Sequence, residues 1–399
     1  MCSWEKKIDI SRVFVLQPTR PLTYFGVGAL AKFDGIMAEL LRQGHRAFLV
    51  VTDPTAYKAC GAWATVRPLL ERSVTWQLFD GARSNPTFAN CDAAAAAGTA
   101  IGADAVLAIG GGSALDTAKT AAVLLKHPGK RAVDFYEKGA PIKDAAPLVA
   151  INTVHGTGSE CDSFAMAQSD GEGKPAIRSP HLYPAYTIED PALTVTLPVK
   201  HTVFTSVDAL CHAVEAATAV TASPYCISLA KEAVRLTSIW LPTAIAQPGN
   251  LAARYWLMYA SAIAGISFDL GMLHVTHALE HSMSALNAAI THGEGLGILL
   301  PAVLREIYPA APEILAGLLA PIAPDLVGLP GEAETAVGIV RDWLAAIGQP
   351  TNLGAYFTGA DVPALTRMTL KSPFSKHLLP LAPIRVDEAV VQRIFQKSL

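Results

Sequence analysis

The hydrophobic pattern of this chain changes character near Pro198, and this change limits the possible folds more than any other feature. In the first half, short apolar runs rich in β-branched residues alternate with stretches of helical periodicity. The predicted strands are 46–52, 103–109 and 147–153, and the helices between them include 29–43 and 88–102. Such alternation predicts a mostly parallel sheet with helices on both faces.

The second half contains long apolar helical patterns and few strand signals. They cover residues 203–218, 223–246, 251–267 and 272–289. Because 399 residues exceed what one core usually accommodates, we predict two domains. The predicted fold class is α/β. An N-terminal domain with a mostly parallel sheet spans 1–195, and a C-terminal all-helical domain spans 196–399.

The composition excludes several classes of partner. Apolar residues make up 51% of the chain, charged residues only 16%, and the net charge is -3. The sequence has no basic stripe, so we expect neither nucleic acid nor a membrane surface as a partner. The large apolar share predicts surface that is hidden in a homodimer or a higher homo-oligomer.

Cysteine usage and the apolar runs bear on the cellular compartment. The six cysteines are scattered without a C-x-x-C motif, which in a chain of this length predicts reduced thiols and a cytoplasmic location. Residues 1–7 lack the apolar core of a signal peptide. The longest uncharged apolar run, 255–268, is too short to span a bilayer and is predicted to be a buried helix.

Two pairs of polar residues stand at helical spacing in the most apolar part of the chain. Asp208 and His212 are four residues apart, as are His277 and His281, and His292 follows. Residues four apart share one face of a helix, so each pair can direct two ligands at one point. Imidazole and carboxylate groups at such a point favour a divalent transition metal. The alternative is a set of structural core histidines, and spacing alone does not exclude the neighbouring His274 as a further ligand.

A glycine-rich loop follows the predicted strand 103–109. Gly110, Gly111, Gly112 and Ser113 lead into a helix that carries Asp116. Glycines let the backbone approach a phosphate closely, and the N-terminus of a helix presents free N–H groups to it. The motif differs from the Rossmann G-x-G-x-x-G, and taken alone it fits a tight turn without a ligand equally well.

Three further loops are candidates for a nucleotide site. Asp53 directly follows the strand 46–52, where a carboxylate can accept hydrogen bonds from a ribose and repels a 2′-phosphate, which favours NAD over NADP. The segment His155-Gly156-Thr157-Gly158-Ser159-Glu160 follows the strand 147–153, and Asn85-Pro86-Thr87 is a turn that can carry an amide. Each also has a structural interpretation, as a loop cap, a helix start capped by Ser159 and a plain turn.

These motifs, taken in order, resemble the iron-containing (group III) alcohol dehydrogenase family. The similarity extends over nearly the whole chain, from the segment 24–30 to the helices after His292. It rests on Thr52-Asp53, Asn85-Pro86-Thr87, the segments 110–119 and 156–160, Asp190-Pro191, and the segments 208–215 and 277–292. Each motif alone is weak, but the ordered set is highly specific.

The resemblance implies that the N-terminal α/β domain is nucleotide-binding and that the C-terminal helical domain binds metal and substrate. It places the active site between the two domains, with a divalent metal, Fe²⁺ or Zn²⁺, near a bound NAD. The metal ligands that it implies are Asp208, His212, His277 and His292, with His281 as a catalytic residue near the substrate. The cofactor-binding positions that match the family's motifs are Asp53, Asn85, Gly110, Gly111, Gly112, Ser113, Asp116, Thr153, Thr157 and Lys174. Family dimers also suggest that the early strand at 22–26 pairs across a two-fold axis.

The implied function is that of a metal- and NAD(H)-dependent alcohol dehydrogenase or aldehyde reductase, which transfers hydride between nicotinamide and a small primary alcohol or aldehyde. An anionic aldehyde, such as sulfoacetaldehyde or phosphonoacetaldehyde, is an alternative substrate, because His155, Lys371, Lys376 and Arg385 could meet its charge. Three other functions stay open: a different enzyme of the superfamily, a non-catalytic NAD-binding protein, and a zinc hydrolase with the same ligands.

Overall fold

The computed structural model describes residues 11, 14–15, 21–169 and 173–399, and the expectation about residues 1–7 lies outside this part. The described residues form two units. The first comprises those up to 169, 175–197 and 248–258, and the second comprises 173–174, 198–247 and 259–399. The predicted single boundary at 195/196 is therefore incomplete, because residues 248–258 belong to the first unit. Arg254 explains this placement, because its guanidinium donates to the carbonyls of Pro248 and Leu197 and lies 3.1 Å from the ring of His155.

A mostly parallel sheet forms the first unit, as the alternating pattern predicts. In the described part its seven strands are β1 (Phe14–Val15), β2 (Leu22–Phe25), β3 (Ala47–Thr52), β4 (Thr75–Phe79), β5 (Ala105–Gly110), β6 (Leu148–Asn152) and β9 (Tyr186–Glu189). A separate antiparallel ribbon contains β7 (Phe164–Met166) and β8 (Ala176–Arg178). The spatial order is β1-β2-β9-β6-β5-β3-β4, and every pair is parallel except β1–β2.

The early strand at 22–26 forms as β2, but it is not a free edge along its whole length. One side of β2 pairs with β9, and on the other side Tyr24 and Phe25 pair with the two residues of β1. Pairing of β2 across a two-fold axis is therefore blocked at Tyr24 and Phe25, where β1 already takes the hydrogen-bonding positions.

Helices cover both faces of this sheet. They are α1 (Phe33–Arg42), α2 (Ala56–Ala59), α3 (Ala62–Ser73), α4 (Phe88–Ala100), α5 (Gly112–Leu125) and α6 (Ala132–Tyr136), with short 3-10 helices at Ala29–Lys32, Pro180–Leu182 and Pro191–Thr194. Successive residues of β3 join opposite cores: Leu49 and Val51 pack with the helices α4 and α5, whereas Phe48 and Val50 pack with α1 and α3. A strand that is buried on both faces shows a continuous apolar run, which is why its sequence is so hydrophobic.

The second unit contains helices joined by loops and no strand among its described residues, as the sequence predicts. Its helices are α7 (Val199–Thr218), α8 (Pro224–Ala246), the part of α9 (Leu251–Gly271) from residue 259 onward, α10 (Val275–Leu286), α11 (His292–Ile307), α12 (Pro312–Leu319), α13 (Ala333–Ala346), α14 (Val362–Lys371), α15 (Pro373–Leu378) and α16 (Glu388–Ser398). Short 3-10 helices lie at Tyr308–Ala310, Pro330–Glu332 and Leu379–Leu381. Within the described chain, no helix alone has the length and apolar character needed to cross a membrane; α9 and α10 would meet that test only as a pair bent by 104°.

Candidate metal centre and nucleotide-binding loops

Three helices of the second unit bring one carboxylate and three imidazoles together. Helix α7 carries Asp208 and His212, α10 carries His277, and α11 begins at His292. The Nε2 atoms of the three histidines lie 3.4, 3.6 and 3.9 Å from Oδ1 of Asp208, in the order His212, His277, His292. We call these four residues the ligand cluster.

The ligand cluster has three distances to Oδ1 of Asp208 that fit a divalent metal better than a hydrogen-bonded network, and the ligand atoms of three members, Asp208, His277 and His292, lie within 4.8 Å of one another. Its distances exceed those of ordinary hydrogen bonds, but they are near the edge of a tetrahedron with metal bonds of ~2.1 Å, which is about 3.4 Å. Among the described residues, neither Oδ1 of Asp208 nor Nε2 of His277 has a hydrogen-bond partner, although both are buried. A buried polar atom without a partner is costly, so both atoms are suited to a cation.

Two further glutamates contact the histidines from behind. Oε2 of Glu215 lies 2.5 Å from Nδ1 of His277, and Glu280 is hydrogen-bonded to Nδ1 of His292. Neither glutamate was assigned a role from the sequence. The available signals were positional, since Glu215 follows Asp208 by seven residues and Glu280 follows His277 by three, which puts each near the ligand face of its helix.

Electrostatic interactions within the cluster shift several pKa values in opposite directions. Burial raises the pKa of Asp208, but the imidazoles of His212, His277 and His292 outweigh burial and hold this pKa well below its usual range. Burial lowers the pKa of His212 to about 4. For His277, the carboxylates of Glu215 and Asp208 outweigh burial and raise the pKa to about 9. A metal that binds His277 must therefore displace a proton from it.

His274 lies outside the ligand cluster, although its spacing in the sequence did not exclude it as a further metal ligand. Its Nδ1 accepts the N–H of Val275 at the start of α10, and its Nε2 lies 3.0 Å from Oγ1 of Thr218. Both ring nitrogens are thus engaged within the protein. His274 is the cap of α10 and helps to place His277 one turn further along.

His281 is buried beside the cluster. Its ring stacks on Phe374 with centroids 5.2 Å apart and lies 5.5 Å from the ring of His292. Burial, with a further contribution from the charge of Lys174, holds the pKa of His281 well below its usual range, so the ring is neutral. Its Nδ1 has no hydrogen-bond partner in the described part of the chain, which leaves this atom able to exchange a proton with a bound molecule.

The predicted nucleotide loops of the first unit pack tightly against each other. A Cβ atom added at Gly111 would lie 2.8 Å from Val154, and one at Gly112 would lie 2.7 Å from Thr157. Only glycine fits this close approach. The N-terminus of α5 begins at Gly112 and has no side-chain cap, so its first N–H groups remain suited to a phosphate.

Several other predicted cofactor residues join the same loops. The N–H of Thr153 donates to the carbonyl of Gly110, and the hydroxyl of Ser159 donates to Asp116. Oδ1 of Asp53 accepts the N–H groups of Thr55 and Ala56, which is the loop-capping contact. Its Oδ2 points toward Gly110, 3.7 Å from where a Cβ would stand.

Two other predicted cofactor residues, Asn85 and Lys174, belong to segments separate from the loops described above. Asn85 has a left-handed backbone with φ 54° in the turn before α4, a conformation that asparagine tolerates better than most residues. Lys174 belongs to the second unit, and its charge acts on Glu280 and His281. Within the described residues, the charge of Lys174 therefore acts beside the ligand cluster, and its predicted role in cofactor binding stays a prediction.

The residues proposed to meet an anionic aldehyde have different surroundings within their own units. His155 is buried, burial and the Arg254 guanidinium lower its pKa to about 3, and its Nε2 lies 3.1 Å from that guanidinium. His155 is therefore neutral and serves to hold Arg254. Lys371, Lys376 and Arg385 are exposed to solvent.

Comparison with known proteins gives matches along the whole chain. The family model described as iron-containing alcohol dehydrogenase matches residues 21–191, and the model of the C-terminal region of the Fe-containing alcohol dehydrogenase family matches residues 202–399. A long-chain primary alcohol dehydrogenase of Thermoanaerobacter ethanolicus is 46% identical over 398 residues, which is 99% of this chain and 100% of the relative.

Solved structures give the same result at lower identity. An iron-containing alcohol dehydrogenase of Thermotoga maritima has a TM-score of 0.82 and 27% identity, and the match covers 97% of this chain and 99% of the other. A sulfoacetaldehyde reductase of Bifidobacterium kashiwanohense in complex with NAD⁺ has a TM-score of 0.81 and 26% identity, over 96% and 97% of the two chains.

Proposed function

This chain belongs to the iron-containing alcohol dehydrogenase family and is an oxidoreductase that acts on alcohols, and from that premise we propose that Asp208, His212, His277 and His292 hold divalent iron at its active centre. The observation that carries the proposal is that three imidazole nitrogens surround one unpartnered, buried oxygen of Asp208 at 3.4 to 3.9 Å. One oxygen and three nitrogen donors suit Fe²⁺ and also Zn²⁺.

The metal and the residues around it have separate tasks. When bound, a divalent ion supplies Lewis acidity that lowers the pKa of an alcohol or polarises an aldehyde. Asp208, His212 and His277 are buried, which strengthens electrostatic interactions between them. His281 is neutral, and its Nδ1 has no hydrogen-bond partner in the described chain. Because its pKa is low, it would transfer the alcohol proton onward without remaining protonated.

We propose NAD(H) as the hydride carrier, bound by the loops of the first unit. The N-terminus of α5 at Gly112 would hold the pyrophosphate, and Asp53 would accept hydrogen bonds from the adenosine ribose. The close packing of Gly111 and Gly112 against the loop of Val154 and Thr157 supports this placement. The structurally similar sulfoacetaldehyde reductase forms a complex with NAD⁺, which supports the choice of cofactor.

We propose a primary alcohol with an apolar chain, or the corresponding aldehyde, as the substrate. The relative of highest identity cited above is named for long-chain primary alcohols. An anionic aldehyde is less well supported, because His155 is neutral and buried while Lys371, Lys376 and Arg385 are exposed.

We further propose a cytoplasmic homo-oligomer. The cysteines in the described part are free, as reduced thiols would be. Exposed apolar side chains such as Val220, Tyr225 and Val327 support burial against a second copy. Light scattering on the purified protein would give a mass of at least twice 42.0 kDa, and a monomer at micromolar concentration would contradict the proposal.

The decisive experiment for the function is removal and return of the metal. We expect a chelator to abolish NADH oxidation with an aliphatic aldehyde, Fe²⁺ to restore it, and medium-length aldehydes to outperform sulfoacetaldehyde. The variant Asp208→Ala should stay inactive after Fe²⁺ is returned. Full activity of a rigorously metal-free preparation would refute the metal role.

A further inference from the structure

Two histidines of the ligand cluster are each held by a glutamate from the helix that precedes their own in the cluster. Glu215 of α7 contacts Nδ1 of His277 on α10, and Glu280 of α10 contacts Nδ1 of His292 on α11. In both cases Nε2, the other ring nitrogen, is the one that faces Asp208. The same relation thus repeats across three helices.

We propose that Glu215 and Glu280 are positioning residues that determine the metal affinity and the net charge of the centre. This inference rests on the proposed function, because it requires that the ligand cluster binds a metal. Each carboxylate accepts a hydrogen bond from Nδ1–H, which leaves the lone pair of Nε2 free to coordinate and fixes the plane of the ring.

Glu215 is fixed by two contacts in α10. One oxygen accepts the backbone N–H of Thr276, and the other lies 2.5 Å from Nδ1 of His277. The residue is fully buried, so water does not compete for either oxygen. Because the N–H of Thr276 is a free donor in the first turn of α10, the carboxylate anchors the start of that helix as well as the histidine.

Glu280 depends on a single histidine. It is fully buried, and among the described residues its Oε1 has no hydrogen-bond partner while its Oε2 is bonded to His292. A buried carboxylate needs a compensating partner, and the pairing with His292 supplies it, together with the charge of Lys174 nearby. A shift of His292 away from Asp208 would therefore also remove the hydrogen-bonded partner of the buried Glu280 carboxylate.

The two glutamates also change the charge of the centre. A divalent ion with Asp208 alone carries +1, whereas the same ion with Asp208, Glu215 and Glu280 carries −1. Negative charge near the ion and a fixed ring plane both favour retention of the metal. Loss of such outer partners in metal sites lowers affinity by roughly 10–100-fold.

The test measures metal affinity directly and does not depend on turnover. The dissociation constants for Zn²⁺ and Co²⁺ are measured by competition with a chelator for the wild type, Glu215→Gln, Glu280→Gln and Glu280→Leu. Gln keeps an oxygen that accepts from Nδ1 but removes the charge, whereas Leu removes both. We expect about a 10-fold loss with Gln and about a 100-fold loss with Leu, together with a change in the visible absorption bands of bound Co²⁺.

Glu189→Gln is the matched control, because Glu189 is also fully buried but belongs to the first unit, whereas the ligand cluster belongs to the second. Its metal affinity should equal that of the wild type. Thermal melts of the metal-free variants separate folding from binding: variants that melt early but bind metal with unchanged affinity and spectrum would overturn the inference. If the wild type itself binds no metal, the proposed function fails, and this inference fails with it.

Discussion

At the scale of single residues, the most informative atom in this protein is Oδ1 of Asp208. It is buried and lacks a hydrogen-bond partner in the described chain, yet three imidazole nitrogens lie around it. The histidines hold the pKa of this carboxyl far below its usual range, so the oxygen carries negative charge at any physiological pH. A charged, buried oxygen without a hydrogen bond is accounted for by a cation.

Asp53 is the residue that should decide between the two nicotinamide cofactors. We expect Asp53→Asn to improve the use of NADPH relative to NADH about 10-fold or more, because the carboxylate that repels a 2′-phosphate is removed. Asn keeps an oxygen for the N–H groups of Thr55 and Ala56, so the loop should stay folded. The ratio of kcat/KM for the two cofactors is the measurement.

The control for Asp53 is Asp104→Asn. Asp104 also accepts backbone N–H groups, those of Arg46 and Ala47, but it lies where β3 and β5 begin rather than where they end. This variant should leave the cofactor ratio unchanged. A wild type that already prefers NADPH would contradict the role given to Asp53.

His281 should affect turnover without affecting metal content. We expect His281→Ala to lower kcat by about 10²-fold or more, because a neutral imidazole that passes on a proton is removed. Metal analysis of the purified variant should match the wild type, since Nε2 atoms of other histidines face Asp208. Loss of metal in parallel with activity would instead make His281 a ligand.

At the scale of elements, the ligand cluster depends on the close approach of α11 to α7. A Cβ added at Gly293 would lie 2.0 Å from the carbonyl oxygen of Phe204, and one at Gly297 would lie 2.9 Å from Val207. The two glycines are one helical turn apart and both lie against α7, and Gly297 also lies against the side chain of Gln349. Small residues on this face let α11 bring His292 to Asp208.

Gly293→Ala should therefore damage the metal centre from outside it. The added methyl group cannot fit beside Phe204, so α11 must move, at about 1–3 kcal/mol of stability, and His292 must move with it. We expect a clearly weaker metal affinity and a lower melting temperature, measured by chelator competition and calorimetry.

Gly338→Ala on α13 is the paired control. No atom lies within 4 Å of a Cβ added there, so the change should be neutral or stabilising by up to about 1 kcal/mol. Wild-type metal affinity in Gly293→Ala would show that the approach of α11 to α7 is not required for the cluster.

At the scale of the whole molecule, a pair of buried glutamates in the first unit should influence how stability depends on pH. Glu160 and Glu189 are fully buried, and a carboxylate oxygen of one lies within 4.8 Å of one of the other, so charge repulsion and burial together favour a proton on one of the two carboxyls. Burial raises the pKa of both carboxyls, and the charge of Glu160 raises that of Glu189 further, whereas Lys119 acts on Glu160 in the opposite direction. Asn152 donates to Glu189 from the end of β6.

The sign of the effect follows from proton uptake. The unfolded chain loses this proton near pH 4.5, whereas the folded chain keeps it to higher pH, so the pair makes stability fall as pH rises above about 4.5. One retained proton corresponds to about 1.4 kcal/mol per pH unit. Glu189→Gln replaces the proton with a permanent donor and should remove this slope.

Urea unfolding between pH 5 and pH 8 measures the slope. The exposed Glu137→Gln serves as the control and should keep the wild-type dependence. An unchanged slope in Glu189→Gln would mean that the two carboxyls do not share a proton in the folded protein.

The features that could be predicted from the sequence are those that depend on near neighbours in the chain. Strand alternation in the first half and helical periodicity in the second predicted the parallel sheet and the helical unit, because side-chain direction repeats every 2 or 3.6 residues. The strand β4 was missed, since its residues are only partly buried and its apolar signal is weak. Spacing likewise predicted that Asp208 and His212 share a face, which they do.

The sequence by itself thus determined the elements of this protein and the residue types that can coordinate a metal. Only the tertiary structure decided that His274 caps a helix while His292 joins the cluster, and that Glu215 meets His277 from 62 residues away. The physical reason is that helical geometry relates residues within one turn, whereas contacts between helices depend on how closely they pack. That packing depends on residues such as Gly293, where the absence of a side chain matters only because α7 lies against it.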